Sequence, residues 1–359
     1  MQKSDGMNYA PEASGVIERV VKPGEFRFAA IGLDHGHIYG MTRGLVEAGA
    51  TLAFVYDPDP VKVKKFLQTY PQAVFKERDE ILRDASIQLV ASAIVPCKHA
   101  ALGLKVMDAG KDFFSDKPGM LTEEEVDAVE KKIKETGRRY FIYFSERIHV
   151  EGAVYAERLI KSGALGRIVT VTILAPHRLN PASRPDWFWD PKQNGGIIGD
   201  IGSHQLEQFL TYSGAKSARI SASHVGNFHN PEHPDFQDFG DVSVVADNGT
   251  TGYLRVDWFT PDGLGAWGDG RLFIVGTKAT VEIRKYLDVG RSNEGDQVYL
   301  VDKDGEHHLS VRGKTGFPFF GAMILDCIDR TELAIGQEHT LDAMRLTIRA
   351  QEHAEMVTK

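Results

Sequence analysis

The chain has 359 residues, with 42 Lys+Arg against 50 Asp+Glu, which gives a formal net charge of −8. This length allows two or three folding units, and the 42% hydrophobic and 26% charged residues are ordinary for a globular protein. An acidic chain without a basic block is poorly suited to nucleic acid, since phosphate binding needs a basic surface. Two cysteines, Cys97 and Cys327, exclude a disulfide scaffold and cannot complete a four-ligand zinc site alone.

Residues 1–24 form an N-terminal extension that contains no apolar run of signal-peptide length. No window of the chain reaches the roughly 18 apolar residues of a membrane-spanning helix. We therefore expect a cytoplasmic protein that does not bind a membrane.

Residues 25–145 alternate short apolar runs with amphipathic stretches, which is typical of βαβ units. The predicted strands are residues 27–32, 52–56, 89–95, 112–115 and 140–144. The predicted helices are residues 37–48, 61–69, 99–109 and 122–136. This pattern predicts an α/β domain of the Rossmann type, with a doubly wound parallel sheet.

Residues 146–359 are rich in short strands separated by Gly, Asp and Asn, which favours an α+β domain with a large open, mainly antiparallel sheet. The predicted strands are residues 168–174, 217–224, 241–246, 251–259, 271–275, 280–284, 297–301 and 307–311. The predicted helices are residues 152–162, 205–212, 318–329 and 341–357. The last helix is in a position to pack back against the first domain.

A glycine-containing turn joins the first predicted strand to the first predicted helix. It consists of Gly32, Leu33, Asp34, His35, Gly36 and His37. A dinucleotide-binding fold needs glycines here, so that the backbone can approach a pyrophosphate at a helix N-terminus. The strict G-x-G-x-x-G pattern would place glycine at positions 34 and 37, so an ordinary tight turn is the alternative. The carboxylate at position 34 would repel a diphosphate unless it points away, contacts the nicotinamide ribose, or is offset by His35 and His37.

Asp57 stands 25 residues after Gly32, at the end of the second predicted strand. An acid at this place accepts hydrogen bonds from both hydroxyls of the adenosine ribose. Because a carboxylate repels the 2′-phosphate of NADP, the sequence favours NAD as the cofactor. The alternative is an aspartate that starts a turn before Pro58.

Four short segments occur in a characteristic order, at residues 95–99 (VPCKH), 116–118 (DKP), 195–204 (GGIIGDIGSH) and 276–279 (GTKA). This set resembles the Gfo/Idh/MocA family of sugar and inositol oxidoreductases over residues 26 to about 355. The resemblance implies an NAD-binding Rossmann domain, an α+β substrate domain and a small carbohydrate or polyol substrate. It also implies a homodimer or homotetramer, for which the open sheet would supply the interface.

The resemblance places Lys117 at the family's active-site lysine, and Asp200 and His204 at its Asp-x-x-x-His motif. A four-residue helical spacing would bring the last two side chains to one face. Oxidation of an alcohol needs a base, and a histidine with an ordinary pKa of about 6.5 suits that role. Asp200 would orient the imidazole or bind a hydroxyl, and Lys117 would stabilise the alkoxide or take the proton itself. The alternative is that Asp200 caps a helix and His204 is a surface histidine.

The resemblance also suggests further contacts. Pro96 and His99 match positions on the nicotinamide side of the cofactor. Substrate contacts are expected from Arg147, His177, Arg178, Trp187 and Glu207, of which the last replaces an aspartate of the family pattern. We predict no metal site.

The main hypothesis is an NAD-dependent oxidoreductase that acts on a sugar, sugar acid, inositol or glycoside. It would pass a hydride between a ring carbon and C4 of the nicotinamide. One alternative retains NAD and performs an elimination, epimerisation or glycoside cleavage without net redox change. A second alternative is a non-catalytic dinucleotide-binding sensor. The lysine and the Asp/His pair argue against the sensor, because a protein that only binds has no need of a base.

Overall fold

The structure is a computed structural model that describes residues 5–8, 16 and 18–358, with Asn8 described by its backbone alone. Residues 1–4, 9–15 and 17 of the N-terminal extension lie outside the described part. Within the extension, Gly6–Asn8 form a short 3-10 turn. The side chains of Asp5 and Met7 in this segment are buried.

A six-stranded sheet forms the first half of the molecule, with the strand order β3-β2-β1-β4-β5-β6. Its strands are β1 (Arg27–Leu33), β2 (Thr51–Tyr56), β3 (Val74–Phe75), β4 (Leu89–Ala93), β5 (Asp112–Ser115) and β6 (Tyr140–Ile142). All neighbouring strands are parallel. The strand order reverses between β1 and β4, so the prediction of a doubly wound Rossmann sheet is confirmed.

Five helices accompany this sheet: α1 (His37–Glu47), α2 (Pro60–Thr69), α3 (Arg78–Arg83), α4 (His99–Asp108) and α5 (Glu123–Thr136). Thr122 caps α5 by accepting a hydrogen bond from the backbone N–H of Glu125 (3.2 Å), and Gly137 ends it with a φ of 64°. Helix α3 and strand β3 could not be predicted from the sequence, because six and two residues are too few to show a hydrophobic period.

A nine-stranded sheet forms the second half, with the order β14-β13-β12-β11-β7-β10-β9-β8-β15. Its strands are β7 (Ile168–Pro176), β8 (Ala218–Gly226), β9 (Phe239–Ala246), β10 (Thr251–Asp257), β11 (Arg271–Gly276), β12 (Thr280–Arg284), β13 (Gln297–Asp302), β14 (Gly305–Ser310) and β15 (Glu355–Met356). The pairs β7–β10 and β8–β15 are parallel and the others antiparallel. The prediction of a mainly antiparallel sheet is confirmed.

Helices cover one face of this sheet and join it to the first half. They are α6 (Ser145–Ile148), α7 (Glu151–Lys161), α8 (Pro191–Asn194), α9 (Ser203–Ser213), α10 (Pro318–Asp329) and α11 (Gln337–Glu352). The last helix begins and ends earlier than predicted, and the chain then adds β15 to the sheet edge. It also contacts α5, where Arg345 pairs with Glu130 and Arg349 with Glu123 (2.6 Å). No helix in the described ranges is long and apolar enough to cross a bilayer.

The two halves share one hydrophobic core. Phe114 of β5 lies with its ring centroid 6.1 Å from that of Phe319 on α10, and Phe320 packs beside the same ring at 6.4 Å. This packing brings the carboxyl ends of β1 and β5 next to the start of α9. Side chains from both sheets therefore border a common pocket.

Candidate active site

A largely enclosed pocket lies where the two halves meet. Its lining includes His35, His37 and Lys117 from the first half and His177, Asp200 and His204 from the second.

The three predicted catalytic residues lie in this pocket. Lys117 follows β5, and its Nζ forms an ion pair with Oδ1 of Asp200. Asp200 lies in a π-helical turn, Ile198–Gly202, that continues directly into α9, where His204 is the second residue. The helical connection predicted between positions 200 and 204 is thus present, although its first turn is wider than an α-helix.

The imidazole of His204 is almost fully buried, with 2% of the residue exposed. Burial lowers its pKa to about 3; Glu146 opposes this shift, while Lys117 and His37 add to it. Its Nδ1 has no hydrogen-bond partner among the residues that the structure describes. The expected pKa near neutrality is therefore wrong, because the buried imidazole is neutral throughout the physiological range.

A buried carboxylate, Glu146, lies beside His177 on another wall of the pocket. Lys285 donates from Nζ to Oε2 of Glu146 (3.1 Å) and to Oε1 of Gln208 (2.8 Å). Burial favours the neutral acid, but the neighbouring Lys285 outweighs burial, so the pKa of Glu146 is lowered. Burial also lowers the pKa of His177 to about 4. This wall therefore presents an ionised acid and a neutral imidazole.

Gly32, the first residue of the glycine-containing turn, is compatible with a bound dinucleotide. Gly32 has a φ of 82°, and a Cβ at this position would lie 2.7 Å from Cβ of Ile94. A side chain at position 32 is therefore excluded, which leaves open backbone at the end of β1 and before α1. Asp57 supports the turn by accepting a hydrogen bond from the backbone N–H of Leu33 (2.7 Å).

The carboxylate of Asp34 is offset by a lysine. Lys62 of α2 forms an ion pair with Oδ1 of Asp34, and the backbone N–H of Val95 donates to Oδ2 (3.1 Å). Burial lowers the pKa of Lys62, but Asp34, Asp57 and Asp59 outweigh burial and raise it. The charge of Asp34, which would otherwise repel a diphosphate, is thus offset by Lys62 and not by His35 or His37.

His35 and His37 contact Asp116 instead. Nδ1 of His37 donates to Oδ1 of Asp116 (2.8 Å), and Nδ1 of His35 accepts from the backbone N–H of His37 (3.1 Å). One ligand atom from each of the three residues lies within 4.8 Å of the others, a spacing compatible with a cation. Since the same atoms already make hydrogen bonds within the group, we assign it to holding the turn and assign no metal to it.

Arg147 and Glu207 do not line the pocket. They form a buried ion pair between α6 and α9, with Nη2 of Arg147 2.6 Å from Oε1 of Glu207. Burial opposes ionisation of both, but their mutual attraction prevails, raising the pKa of Arg147 and lowering that of Glu207. Glu207 is thus turned towards an arginine in the protein interior.

Three further predicted contacts also lie outside the pocket lining. Arg178 donates to the carbonyl oxygen of Leu264 (2.8 Å), and Nδ1 of His99 bonds the carbonyl oxygen of Pro118 (2.7 Å). Pro96 is buried in a short 3-10 turn before α4. Of the predicted substrate contacts, His177 and Trp187 do line the pocket.

The sequence analysis missed several lining residues, among them Arg184, Trp258 and Trp267. Arg184 follows His177 and Arg178 in the same loop, so its nearness to these predicted contacts could have indicated it. Trp258 and Trp267 both lie in the connection between β10 and β11, and nothing in the sequence links that connection to the pocket. Gly6 and Met7 of the N-terminal segment also line it.

Comparison with known proteins decides the family. Residues 26–144 match the model described as "Oxidoreductase family, NAD-binding Rossmann fold", and residues 154–282 match the GFO/IDH/MocA C-terminal domain. The chain belongs to the Gfo/Idh/MocA family. Its first half is therefore an NAD-binding Rossmann domain, to which the turn at Gly32 is suited.

The similarity extends to individual proteins. A crystal structure of a protein from Erwinia carotovora atroseptica SCRI1043 is 47% identical, has a TM-score of 0.90, and covers 93% of this chain and 100% of that one. The scyllo-inositol 2-dehydrogenase (NAD(+)) of Bacillus subtilis is 26% identical over 72% of this chain and 74% of that protein. The uncharacterized oxidoreductase C115.03 of Schizosaccharomyces pombe is 29% identical over 43% of this chain, and the matched region spans 42% of that protein.

Proposed function

We propose that the protein is an NAD-dependent dehydrogenase that transfers a hydride between a CH–OH carbon of a sugar, inositol or glycoside and C4 of the nicotinamide. The observation that carries this proposal is the convergence of Lys117 with Asp200 and His204 in one enclosed pocket. The similarity to a scyllo-inositol dehydrogenase supports the substrate class.

Bound NAD supplies the hydride acceptor. The turn at Gly32 and the N-terminus of α1 would hold its pyrophosphate, and Asp57 would hold the adenosine ribose. Asp57 is already oriented by the backbone N–H groups of Leu33 (2.7 Å) and Asp59 (2.9 Å). A carboxylate in this position favours NAD over NADP.

In this proposal, His204 and Lys117 act on the same substrate hydroxyl. The imidazole of His204 is neutral, and its Nδ1 makes no hydrogen bond within the described ranges. His204 receives the hydroxyl proton as the hydride leaves and passes it on, because its lowered pKa disfavours keeping it. Lys117 is held by Asp200 and stabilises the negative charge that develops on the substrate oxygen.

The walls of the pocket suit a ring with apolar faces and polar edges. Trp187, Phe188 and Trp258 line it together with the charged residues. An aromatic face such as that of Trp187 packs against the C–H surface of a sugar and excludes water, which strengthens the electrostatic interactions inside. The pocket therefore combines a base, a cation and an apolar platform.

The direct test is NAD reduction across a panel of sugars, inositols and glycosides, followed by the absorbance of NADH. We expect Lys117→Met to reduce kcat by about 10²- to 10⁴-fold while NADH binding is retained. Lys131→Met, on the exposed surface of α5, is the matched control. Failure of the wild-type protein to bind NAD(H) at millimolar concentration would refute the proposal. Product formation without any change in NADH would favour the redox-neutral alternative.

We also propose that the outer face of the nine-stranded sheet forms a homodimer or homotetramer interface. This face exposes Val169, Tyr253 and Val275 on neighbouring strands. Light scattering should give a mass of two or four chains, and Tyr253→Asp should lower it. A monomer at micromolar concentration would contradict this assembly.

A further inference from the structure

Arg184 lies in the loop after β7 and lines the same pocket as Lys117 and His204, with 9% of the residue exposed. Its guanidinium carbon lies 4.5 Å from the ring centroid of Phe188 and 4.9 Å from that of Trp258. These aromatic faces fix the plane of the guanidinium and stabilise its charge.

The hydrogen bonds of Arg184 go to backbone carbonyls. Nε donates to the oxygen of Leu179 (2.6 Å) and Nη2 to that of Arg178 (3.1 Å). Nη1 has no partner in the part of the chain that the structure describes. The side chain is thus held through Nε and Nη2, and Nη1 is available to a ligand.

The charge of Arg184 has no close counterion. Within the described ranges, no carboxylate forms an ion pair with it at 4.0 Å or less, whereas Lys117 pairs with Asp200 and Lys285 with Glu146 (3.1 Å). Burial lowers the pKa of Arg184, and Asp5 and Asp200 oppose this only at longer range. A buried, unpaired cation costs free energy that a bound anion would recover.

We infer that Arg184 binds a carboxylate of the substrate, so that the preferred substrate is a sugar acid and not a neutral sugar. This inference rests on the proposed function, which makes the pocket the substrate site. A guanidinium forms strong, directional hydrogen bonds to a carboxylate. Because Asp5 and Asp200 already act on the charge of Arg184, this guanidinium suits a singly charged group better than a phosphate with about two negative charges.

The loop that contains Arg184 already binds a carboxylate of the chain itself. Oδ2 of Asp5 accepts hydrogen bonds from Nδ2 of Asn180 (2.8 Å) and from Oγ of Ser183 (3.0 Å). Asp5 and Arg184 are close enough to influence each other's charge, although they form no ion pair. The same loop thus supplies side-chain donors for acidic oxygens.

The experiment compares matched acids and neutral sugars on the NAD-loaded protein. The probes are D-glucuronate with D-glucose, D-galacturonate with D-galactose, and glucose 6-phosphate. Affinity is measured by calorimetry and kcat/KM by NADH formation. In the wild type, we expect at least one uronate to exceed its neutral partner by about 10- to 100-fold. Arg184→Met should bring this ratio close to one, and Arg184→Lys should leave it at an intermediate value.

Arg219→Met removes an exposed arginine on β8 and is the matched control, for which the ratio should not change. A wild-type ratio near one, or a ratio unchanged in a folded Arg184→Met variant that binds NADH, would overturn the inference. If Arg184→Met does not fold, an unchanged ratio in Arg184→Lys would overturn it instead. Preference for glucose 6-phosphate over both uronates would also contradict the carboxylate assignment.

The two proposals fail in different ways. Uronate binding that depends on Arg184 but produces no NADH would support this inference and contradict the dehydrogenase. NAD reduction by neutral sugars alone would support the dehydrogenase and overturn this inference.

Discussion

At the scale of single residues, charge pairing organises the candidate site. Asp34 holds Lys62, Asp200 holds Lys117, and Glu146 holds Lys285. Burial keeps His204 neutral, and Arg184 forms no ion pair within the described ranges. We therefore expect His204 and Arg184 to contact the substrate. Each ion pair can be broken by its own substitution.

Opening the pair between Asp34 and Lys62 should change cofactor preference. Asp34→Asn keeps the size of the side chain but releases the ammonium of Lys62, whose pKa shows that it also senses Asp57 and Asp59. We expect the NADP/NAD ratio of kcat/KM to rise about tenfold, because the freed cation can bind the 2′-phosphate. Lys62→Met is the control, and it should not improve the use of NADP.

We expect Asp57 both to bind the adenosine ribose and to support the glycine-containing turn. Asp57→Ala should relax discrimination against NADP and also weaken NAD binding, since the backbone N–H of Leu33 loses its acceptor. Dissociation constants for NADH and NADPH, measured by fluorescence, check both effects. An unchanged NADH/NADPH ratio would remove Asp57 from the ribose site.

At the scale of elements, regular strands were predictable and irregular segments were not. Strands β5 and β12 were predicted with their observed bounds, because apolar runs between turn residues define them. The π-helical turn that carries Asp200 has no sequence signature, and Glu207 was placed by motif alone although α9 turns it towards Arg147. Such positions depend on tertiary packing.

The N-terminal segment is the least predictable element of the site. Gly6 and Met7 line the pocket, and a Cβ on Gly6 would lie 3.0 Å from the ring of His177. Deletion of residues 1–8 should raise KM for the substrate severalfold while the affinity for NADH stays unchanged, because one wall is lost. A lower KM in the truncated protein would instead identify the segment as an obstruction.

At the scale of the whole molecule, buried histidines link stability to pH. Burial lowers the pKa of His149 to about 3, of His177 to about 4 and of His204 to about 3. The unfolded chain binds protons below a pH of about 6.5 and the folded chain does not. Stability is therefore complete above that pH and declines towards pH 4, by up to about 1.4 kcal/mol per pH unit for each histidine.

Calorimetric melting at about pH 7 and pH 5 tests this linkage, and Tm should fall at the lower pH. Asp296 opposes the trend, since burial raises its pKa to about 6 and the folded chain then binds its proton more tightly. His149→Phe, outside the pocket, should reduce the loss between the two pH values. A Tm that rises on acidification would contradict the assignment of these histidines as neutral.

The sequence predicted the two sheets and brought Lys117, Asp200 and His204 together, because the motifs that contain them end or begin regular elements. It did not predict Arg184, Trp258 or Trp267, because these residues lie in loops whose approach to the pocket depends on tertiary packing. The sequence also could not predict the low pKa of His204, since this pKa follows from burial and from charges supplied by both halves.

The central claim is that Lys117 and His204 act on the same substrate oxygen. The most direct measurement is the rate of hydride transfer to NAD in a single turnover, for Lys117→Met, His204→Asn and the double variant. We expect each single change to slow the step by about 10²-fold or more, and the double variant to lose little beyond the slower single variant. Losses that simply multiply, or a single variant with the wild-type rate, would show that the two side chains do not share one reacting group.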